Sequence, residues 1–389
     1  MKRIFAFFIV CVLLTVPVFA DEVIFPDSTE VMSEGIDLDI KAKSCLLMEL
    51  ESGAVLYAEN EHEALPPASV TKIMSLLLVF EAIDQGRITM EDVVQVSEYA
   101  AGKGGSQVYL EAGEQMTVHE LIKCVAVASA NDATTALAEY IAGSEDAFVT
   151  MMNERAEQLG MTDTVFLNCT GLDDDGSNMT SAYDIARMSQ ALMGHEAVFA
   201  YTTIWMDSIR DGAFGLSNTN KLVRFYSGTT GLKTGSTSNA GFCISATAKR
   251  HDMHLIAVIM GSESSAVRNE QAKKLLDHGF ANYAVVHIPQ QSGFEPVPVE
   301  GGQAEYLTPY MEQEQLTLLV GKTEKNNIEC RVSLAERVTA PVEAGQTLGK
   351  LEYYCGDKLL YTVTLVAEHG VERVNFGFLF GKCLRMLLL

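Results

Sequence analysis

Basic residues are scarce in this sequence. It has 28 lysines and arginines against 51 aspartates and glutamates, which gives a formal net charge of −23 over 389 residues. Proteins that bind nucleic acid need clusters of positive charge to hold the phosphate backbone. The charge balance therefore argues against a nucleic-acid partner, and the length is sufficient for two domains with a sizeable core.

Cysteines are few and irregularly spaced. There are eight, and we expect one of them, Cys11, to be removed with an N-terminal signal, which leaves seven. An odd number at scattered spacings is not a disulfide framework, and no pair has the C-x-x-C spacing of zinc sites. Most lie among apolar neighbours, as Cys124 and Cys243 do, which indicates ordinary core residues.

Metal-binding motifs are also missing. Residues 173–176 read Asp-Asp-Asp-Gly and resemble the start of a calcium loop, but the downstream glutamate that completes an EF-hand is absent. A solvated turn is the better interpretation. We predict no metal and no other cofactor.

The apolar run at the N-terminus is too short for a membrane-spanning helix. Lys2 and Arg3 precede it, small residues lead up to Ala20, and acidic residues follow. This is the pattern of a secretory signal peptide that is cleaved after Ala20. We expect residues 1–20 to be the signal peptide, residues 21–35 to be a leader, and the mature protein to act outside the cytoplasm.

The most informative stretch is residues 66–83. Its two prolines suit the entrance of a helix, and the run that follows is apolar nearly all round, as in a helix buried on every side. Ser69 then lies in the first turn, and Lys72, three residues on, shares its face. A buried lysine tends to lose its proton and can then accept one from a serine, so this S-x-x-K motif indicates a nucleophile and its base.

Ser129 and Asn131 lie at a junction between two predicted helices. Thr117 and Glu120 form a capping box that opens the first helix, and residues 133–142 are again helical. Side chains at such a junction can face a cleft. The S-x-N motif is therefore a second candidate site.

Lys233, Thr234 and Gly235 precede two strand-like runs, residues 241–249 and 254–261. This order predicts that the K-T-G motif lies on an outer strand of a sheet. A glycine on an edge strand allows a ligand backbone to approach closely.

The three motifs occur in the order S-x-x-K, S-x-N, K-T-G. Together they resemble the penicillin-recognising serine acyltransferases, and more closely the low-molecular-mass penicillin-binding proteins that are D-alanyl-D-alanine carboxypeptidases. The likeness covers roughly residues 36–282 and includes residues 67–72, 128–133, 168–172, 217–222 and 231–241.

The resemblance implies the fold. Residues 36–282 would form an α/β (α+β) penicillin-binding/β-lactamase-like catalytic domain with an antiparallel sheet and a helical region. From residue 283 the sequence consists of short segments in which apolar and polar residues alternate, separated by Gly and Pro. This pattern indicates antiparallel strands. Residues 283–366 would be a smaller all-β sandwich domain, which in relatives follows the catalytic domain and could hold it away from the membrane.

The resemblance also implies a role for each motif residue. Ser69 would attack the carbonyl between the two D-alanines that end a peptidoglycan stem pentapeptide, and water would hydrolyse the acyl-enzyme. Lys72 would be the general base, and Ser129 would help to carry the proton to the leaving amine. Asn131 would bind the amide of the substrate, and β-lactam antibiotics would inhibit the enzyme by acylating Ser69.

The remaining substrate contacts follow from the same likeness. Lys233 and Thr234 would bind the terminal carboxylate, and the backbone N–H groups of Ser69 and Ser236 would form an oxyanion hole. Arg268 falls where such enzymes often place an arginine near that carboxylate, although an amphipathic helix explains it equally well. The other substrate-binding residues implied are Gly235 and Thr237.

The C-terminus, residues 367–389, is predicted to be an amphipathic helix. Asn375, Lys382 and Arg385 fall on one side, and the opposite side is apolar. It is too short to span a bilayer, so we expect it to lie in the membrane interface at the outer face of the cytoplasmic membrane. A helix docked on the β domain is the alternative.

The predicted function is a serine-type D-Ala-D-Ala carboxypeptidase that acts on peptidoglycan and is inhibited by β-lactams. Three alternatives stay open at this point. They are a D,D-endopeptidase that cuts cross-links, a β-lactamase of the same fold, and a penicillin-binding sensor that acylates without turnover.

Overall fold

A five-stranded antiparallel sheet is the centre of the first domain in a computed structural model, which describes residues 36–172, 178–313 and 315–388. The predicted signal peptide, the leader and the Asp-rich turn at residues 173–176 lie outside the described residues. The order of strands in the sheet is β2-β1-β9-β8-β7, with two short hairpins, β3–β4 and β5–β6, beside it. The strands of this domain are β1 Ser44–Glu49, β2 Val55–Glu59, β3 Val93–Gln95, β4 Gln115–Thr117, β5 Met206–Ile209, β6 Phe214–Ser217, β7 Thr229–Thr237, β8 Gly241–Arg250 and β9 Met253–Ser262.

Helices cover both faces of this sheet, and each face has its own apolar core. The helices are α1 Lys72–Asp84, α2 Glu98–Ala101, α3 Val118–Ala128, α4 Asn131–Ala142, α5 Glu145–Gln158, α6 Ala182–Met193, α7 Phe199–Thr202, α8 Leu222–Phe225 and α9 Ser265–Asn282, with 3-10 turns at Ala68–Thr71 and Glu196–Val198. The predicted catalytic fold, with its antiparallel sheet and helical region, is confirmed.

Helix α1 is buried on all sides within the larger core. Residues around its whole circumference, such as Ile73, Met74 and Val79, are almost inaccessible to solvent. Burial of apolar side chains on every face fixes the axis of a helix against its neighbours α3, α4, α5 and α6. The element that begins directly after Ser69 is therefore held rigidly.

The junction between α3 and α4 is set by helix capping. Thr117 caps α3, and its side chain and that of Glu120 bond each other's backbone N–H, as the sequence predicts. At the other end Ser129 adopts a left-handed backbone conformation with φ +62°, which ends α3 and allows α4 to begin at Asn131. Ser129 and Asn131 thus lie at the bend between two helices.

Helix α9 covers the second face of the sheet. It is capped by Ser264, and Leu275 and Leu276 are fully buried in the smaller core. Strand β10, Tyr283–Pro289, follows directly and pairs with β14 of the second domain.

The second domain is built of short strands around two small apolar cores. Its sheets have the orders β10-β14, β12-β11-β16 and β13-β18-β17-β15. After β10, the strands are β11 Val297–Glu300, β12 Tyr306–Leu307, β13 Pro309–Tyr310, β14 Gln315–Gly321, β15 Ile328–Leu334, β16 Val338–Thr339, β17 Thr347–Cys355 and β18 Lys358–Ala367. The prediction of an all-β domain after the catalytic domain is confirmed.

The β domain continues beyond residue 366. Val371 pairs with Val342, Arg373 pairs with Gly302, and the N–H of Val374 donates to the carbonyl of Gly301. The terminal helix, α10, begins only at Phe376 and ends at Leu388. Residues 367–374 thus belong with the β domain by their hydrogen bonds, so the start of the terminal helix has to be moved from residue 367 to Phe376.

Helix α10 exposes most of its apolar side chains. The exposed fraction is 83% for both Phe376 and Leu387, and Phe380 and Met386 are also largely exposed. In the described ranges, none of the helices combines the length and the apolar content that crossing a bilayer requires.

Candidate active site

We predicted that Ser69 lies in the first turn of an α-helix. It lies instead in a 3-10 turn directly before that helix. The turn covers Ala68–Thr71, and α1 begins at Lys72. Ala68 has a φ of +49°, a conformation that costs energy for a residue with a side chain. The tighter turn leaves the Ser69 side chain partly exposed while its neighbours are buried, so the hydroxyl is accessible to a substrate.

The Lys72 amine is next to the Ser69 hydroxyl. The Nζ atom is 3.0 Å from the Oγ of Ser69 and donates a hydrogen bond of 2.7 Å to the carbonyl of Thr170. Lys72 is 0% exposed, and burial lowers its pKa to about 7, although Cys169 and Asp132 act in the opposite direction. A large fraction of this amine is therefore neutral near pH 7 and able to accept a proton.

A second lysine lies on the opposite side of the site. Lys233, on β7, is 1% exposed, and its Nζ donates to the Oγ of Ser129 over 2.7 Å and to the carbonyl of Thr234 over 2.9 Å. Its pKa is lowered well below the ordinary value by burial, and further by the positive charges of Lys72 and Arg268. The S-x-N and K-T-G motifs are thus joined by a direct hydrogen bond.

Asn131 is oriented by the glycine-rich loop, residues 102–105. Its Nδ2 donates to the carbonyl of Gly104, and its backbone N–H donates to the carbonyl of Ser106, both over 2.7 Å. The Oδ1 atom is buried and has no hydrogen-bond partner in the part of the chain that the structure describes. A buried acceptor without a partner is costly, and a donor on a ligand would satisfy it.

Strand β7 is the edge of the sheet next to the nucleophile. A Cβ on Gly235 would lie 2.7 Å from the carbonyl oxygen of Pro67 and 2.8 Å from the backbone nitrogen of Ser69. The glycine therefore makes room for the Ser69 turn, whereas we predicted that it makes room for a ligand backbone. The amides of Ser69 and Ser236, the predicted oxyanion hole, lie on these two adjoining segments.

The other residues of β7 differ in exposure. Thr234 is buried, and its hydroxyl donates to the Oγ1 of Thr219 over 2.8 Å. Ser236 is exposed, and Thr237 is partly exposed and accepts a hydrogen bond from the N–H of Ala240. The accessible end of the edge strand thus carries hydroxyl groups.

Arg268 is buried in α9 and does not bond any of the other motif residues. Its guanidinium donates to the side chain of Asn269 and, over 3.4 Å, to the carbonyl of Cys243, which is paired with Gly235. Burial lowers the pKa of Arg268 to about 10. Arg268 is therefore not on the exposed side of an amphipathic helix, and its positive charge lowers the pKa of Lys233.

The sequence alone did not identify three groups that hold the motif side chains. They are the carbonyl of Thr170, which accepts from Lys72, the carbonyl of Gly104, which accepts from Asn131, and the hydroxyl of Thr219, which accepts from Thr234. The only signal was the likeness of residues 168–172 and 217–222 to the same family. Backbone carbonyls have no sequence signature, because every residue has one.

The arrangement can perform acyl transfer. It contains a serine hydroxyl beside an amine that is partly neutral near pH 7, a second serine bonded to another lysine amine, and a buried amide oxygen that has no partner among the described residues. No group of His, Cys, Asp and Glu side chains suited to holding a metal occurs among the described residues.

Comparison with known proteins gives consistent results for both domains. A family model described as D-alanyl-D-alanine carboxypeptidase matches residues 29–264, and one described as the C-terminal domain of penicillin-binding protein 5 matches residues 289–373. The D-alanyl-D-alanine carboxypeptidase DacF of Bacillus subtilis is 39% identical over 345 residues, which is 87% of this chain and 88% of the relative.

Solved structures with the same fold include penicillin-binding protein 5 of Haemophilus influenzae. It is 30% identical to this chain. The superposition has a TM-score of 0.77 and covers 86% of this chain and 98% of the other. Penicillin-binding protein D2 of Listeria monocytogenes, solved in its ampicillin-bound form, is also 30% identical, with a TM-score of 0.56 over 63% of this chain and all of the other.

Proposed function

The chain belongs to the D-alanyl-D-alanine carboxypeptidase family and is a serine D-Ala-D-Ala carboxypeptidase, and from this we propose how its residues divide the reaction. Ser69 is the nucleophile and Lys72 is its general base. One observation carries the proposal: the amine of Lys72, fully buried, lies 3.0 Å from the Ser69 hydroxyl.

Acylation begins when the neutral Lys72 amine takes the Ser69 proton and the serine oxygen attacks the carbonyl between the last two D-alanines. The negative charge that develops on the carbonyl oxygen is stabilised by the backbone N–H groups of Ser69 and Ser236, a contribution of about 3 kcal/mol per donor in such sites. When the C–N bond breaks, the proton returns to the amine of the leaving D-alanine through Ser129. Water then hydrolyses the ester, with Lys72 again as base.

Binding of the peptide uses the positive and the unpaired groups of the site. Lys233 and Thr234 receive the terminal carboxylate, and Asn131 Oδ1 accepts from the substrate amide. A chain with a net charge of −23 needs such a local cation to attract an anionic chain end. Gly235, Thr237 and Arg268 belong to the same substrate-binding region, Arg268 through its charge.

β-Lactams acylate Ser69 and release slowly. Residues 164–168 contain no acid, whereas a class A β-lactamase has its water-activating glutamate at the corresponding place. Glu145, a buried carboxylate that contacts the segment next to Lys72, already accepts hydrogen bonds from Lys103, Tyr99 and Cys169. We therefore expect a long-lived penicilloyl adduct and no rapid turnover of penicillin.

The enzyme acts at the outer face of the cytoplasmic membrane. Residues 1–20 are the export signal, and α10 binds the lipid surface through the side that carries Phe376, Phe380 and Leu387. Exposure of these side chains supports a helix lying in the interface. Lys382 and Arg385, at the same end of the chain, suit anionic headgroups.

The test of the proposed chemistry is D-alanine release by the purified protein from a stem pentapeptide. We expect release by the wild type and none by Ser69→Ala, which should remain folded because alanine suits a helical turn. A cross-linked dimeric peptide and penicillin serve as competing substrates. Faster cleavage of either one would favour an endopeptidase or a β-lactamase, and acylation without any release would favour a sensor.

A further inference from the structure

Glu145 is a buried carboxylate whose three hydrogen-bond donors come from two distant segments of the chain. It is the first residue of α5 and is 6% exposed. Its Oε2 accepts from the Nζ of Lys103 over 2.6 Å and from the hydroxyl of Tyr99 over 2.7 Å, and its Oε1 accepts from the N–H of Cys169 over 3.0 Å. No part of the proposed reaction uses this residue.

The contact with Cys169 leads to the base. The residue after Cys169 is Thr170, whose carbonyl accepts the 2.7 Å hydrogen bond from Lys72. The carbonyl of Cys169 itself accepts from Ser75 of α1 over 2.6 Å. Glu145 and Ser75 thus hold the N–H and the carbonyl of one residue, Cys169, and this residue fixes the position of the next carbonyl, to which the Lys72 amine is bonded.

The contact with Lys103 leads to the substrate-binding asparagine. Lys103 belongs to the glycine-rich loop, and the next residue, Gly104, supplies the carbonyl that orients the Asn131 side chain. Lys103 also lies over the ring of Tyr99, 4.1 Å from its centroid. One carboxylate therefore connects the loop that holds Asn131 to the segment that holds Lys72.

We propose that Glu145 is a positioning residue that fixes the Lys72 amine through the carbonyl of Thr170 and the Asn131 amide through Lys103 and Gly104. This inference rests on the function proposed for Lys72 as base. Small displacements of reacting groups are costly, since a shift of about 1 Å can slow a reaction about 100-fold.

A role in helix stability alone is the competing explanation, because an acid in the first turn of a helix is favourable. Burial opposes the ionisation of Glu145, but the hydrogen bonds from Lys103, Cys169 and Tyr99 outweigh it and hold the pKa of Glu145 below its ordinary value. Asp146, the next residue of the same turn, is exposed and has no side-chain contact with Lys103, Tyr99 or Cys169. It is therefore a matched control for the helix-dipole effect.

The experiment measures acylation of the full chain by a fluorescent penicillin from pH 5 to pH 10. For Glu145→Ala we expect the rate at the high-pH plateau to fall at least about tenfold, because the amine loses its fixed position. The midpoint should also move to lower pH, because the protonated amine loses a well-placed carbonyl acceptor. Lys233, Cys169 and Asp132, the titratable groups around Lys72, are unchanged in this variant.

Glu145→Gln is the conservative variant. Its amide oxygen can still accept from the N–H of Cys169, so the midpoint should return to that of the wild type and the plateau should partly recover. Asp146→Asn should leave both unchanged. A change of stability alone would alter the fraction of active protein, which scales the rate but does not move the midpoint.

Lys103→Met tests the second connection. Lys103→Met and Glu145→Ala each remove the hydrogen bond between Lys103 and Glu145. The double variant should therefore lose no more activity than Glu145→Ala alone. Lys123→Met, which breaks an ion pair with Asp207 on β5, is the control for loss of an ion pair made by a partly buried lysine. Multiplicative losses in the double variant would contradict the proposal.

Lys72→Met separates the two ideas. If it still acylates, the function proposed for Lys72 is wrong. If it is inactive while Glu145→Ala keeps the wild-type plateau and midpoint, only the inference about Glu145 is overturned. Should Glu145→Ala fail to fold, Glu145→Gln and Lys103→Met decide, since a wild-type plateau in both would also overturn it.

Discussion

The chemistry of the site depends on two lysines that are buried without a carboxylate partner within the described residues. In the free enzyme such an environment favours the neutral amine, since removing a cation from water is costly, whereas a bound substrate carboxylate would favour the protonated form of Lys233. Lys72 has two acceptors, Ser69 Oγ and Thr170 O, and neither carries a charge. The protein has thus placed a base at the cost of some stability, a common feature of enzyme sites.

The pH dependence of acylation should report on Lys72. Because its pKa is about 7, the amine is protonated and inactive below this pH and neutral above it. The rate of β-lactam acylation should therefore rise with pH through a midpoint near 7 and then level off. Lys72→Arg, whose guanidinium stays protonated, should abolish the rise. A midpoint close to that of a free lysine, about 10.4, would contradict the assignment.

Gly171 should be a sensitive position of the fold. Its φ is +77°, and a Cβ would lie 1.9 Å from the carbonyl oxygen of Ala68, in the turn that carries Ser69. Gly160 has a similar φ, +71°, but open space around it. In urea unfolding we expect Gly160→Ala to cost about 1 kcal/mol and Gly171→Ala to cost about 2–3 kcal/mol more. Equal losses in the two variants would show that the contact with Ala68 is unimportant.

At the scale of elements, the parts of the site that could be predicted from the sequence are those held in place by helices and strands. The capping box of α3, the spacing of Ser69 and Lys72, and the edge strand β7 all depend on residue types that have local preferences. The segments that hold the side chains in place are irregular. Thr170 reaches Lys72 across 98 positions of the chain, and such a contact has no local pattern.

The end of the β domain was misplaced for a related reason. Residues 371–374 are joined to the domain by isolated bridges and single hydrogen bonds, not by a strand with alternating apolar residues. Without a strand pattern, these residues are therefore assigned from the sequence to the start of the terminal helix. Gly235 is a similar case, because the close approach that requires a glycine is to Ser69, which is far away in sequence.

The segment before α8 should influence substrate binding through β7. The Oγ1 of Thr219 accepts a hydrogen bond from the hydroxyl of Thr234, and the backbone N–H of Thr219 donates to the carbonyl of Val127. Thr219→Val keeps the shape but removes the acceptor, so the peptide concentration at half-maximal D-alanine release should rise roughly 2–10-fold. Thr203→Val, at the exposed residue directly after α7, removes a hydroxyl that donates to the carbonyl of Phe199 and is the control. An effect on the maximal rate alone would place Thr219 in a different role.

At the scale of the whole molecule, removal of α10 should change location and not activity. The chain shortened after Val374 keeps the pairing of Val371 and Arg373 with the β domain, whereas a cut at residue 366 would remove it. We expect the shortened protein to release D-alanine at the wild-type rate and to leave vesicles that contain anionic lipid. Sedimentation with the vesicles as before, or unfolding of the domain, would refute the membrane role of α10.

The burial of α1 on all sides also determines how the protein opens in its native state. Amide hydrogens of a helix at the centre of a core can exchange with solvent only when the whole domain unfolds, whereas those of an exposed helix exchange through local fraying. We expect residues 73–80 to be among the most protected in hydrogen-exchange mass spectrometry, and α10 to exchange within seconds when no lipid is present. The geometry of the nucleophile and its base would then last as long as the fold itself, and heat would inactivate the enzyme only at the temperature at which the catalytic domain unfolds.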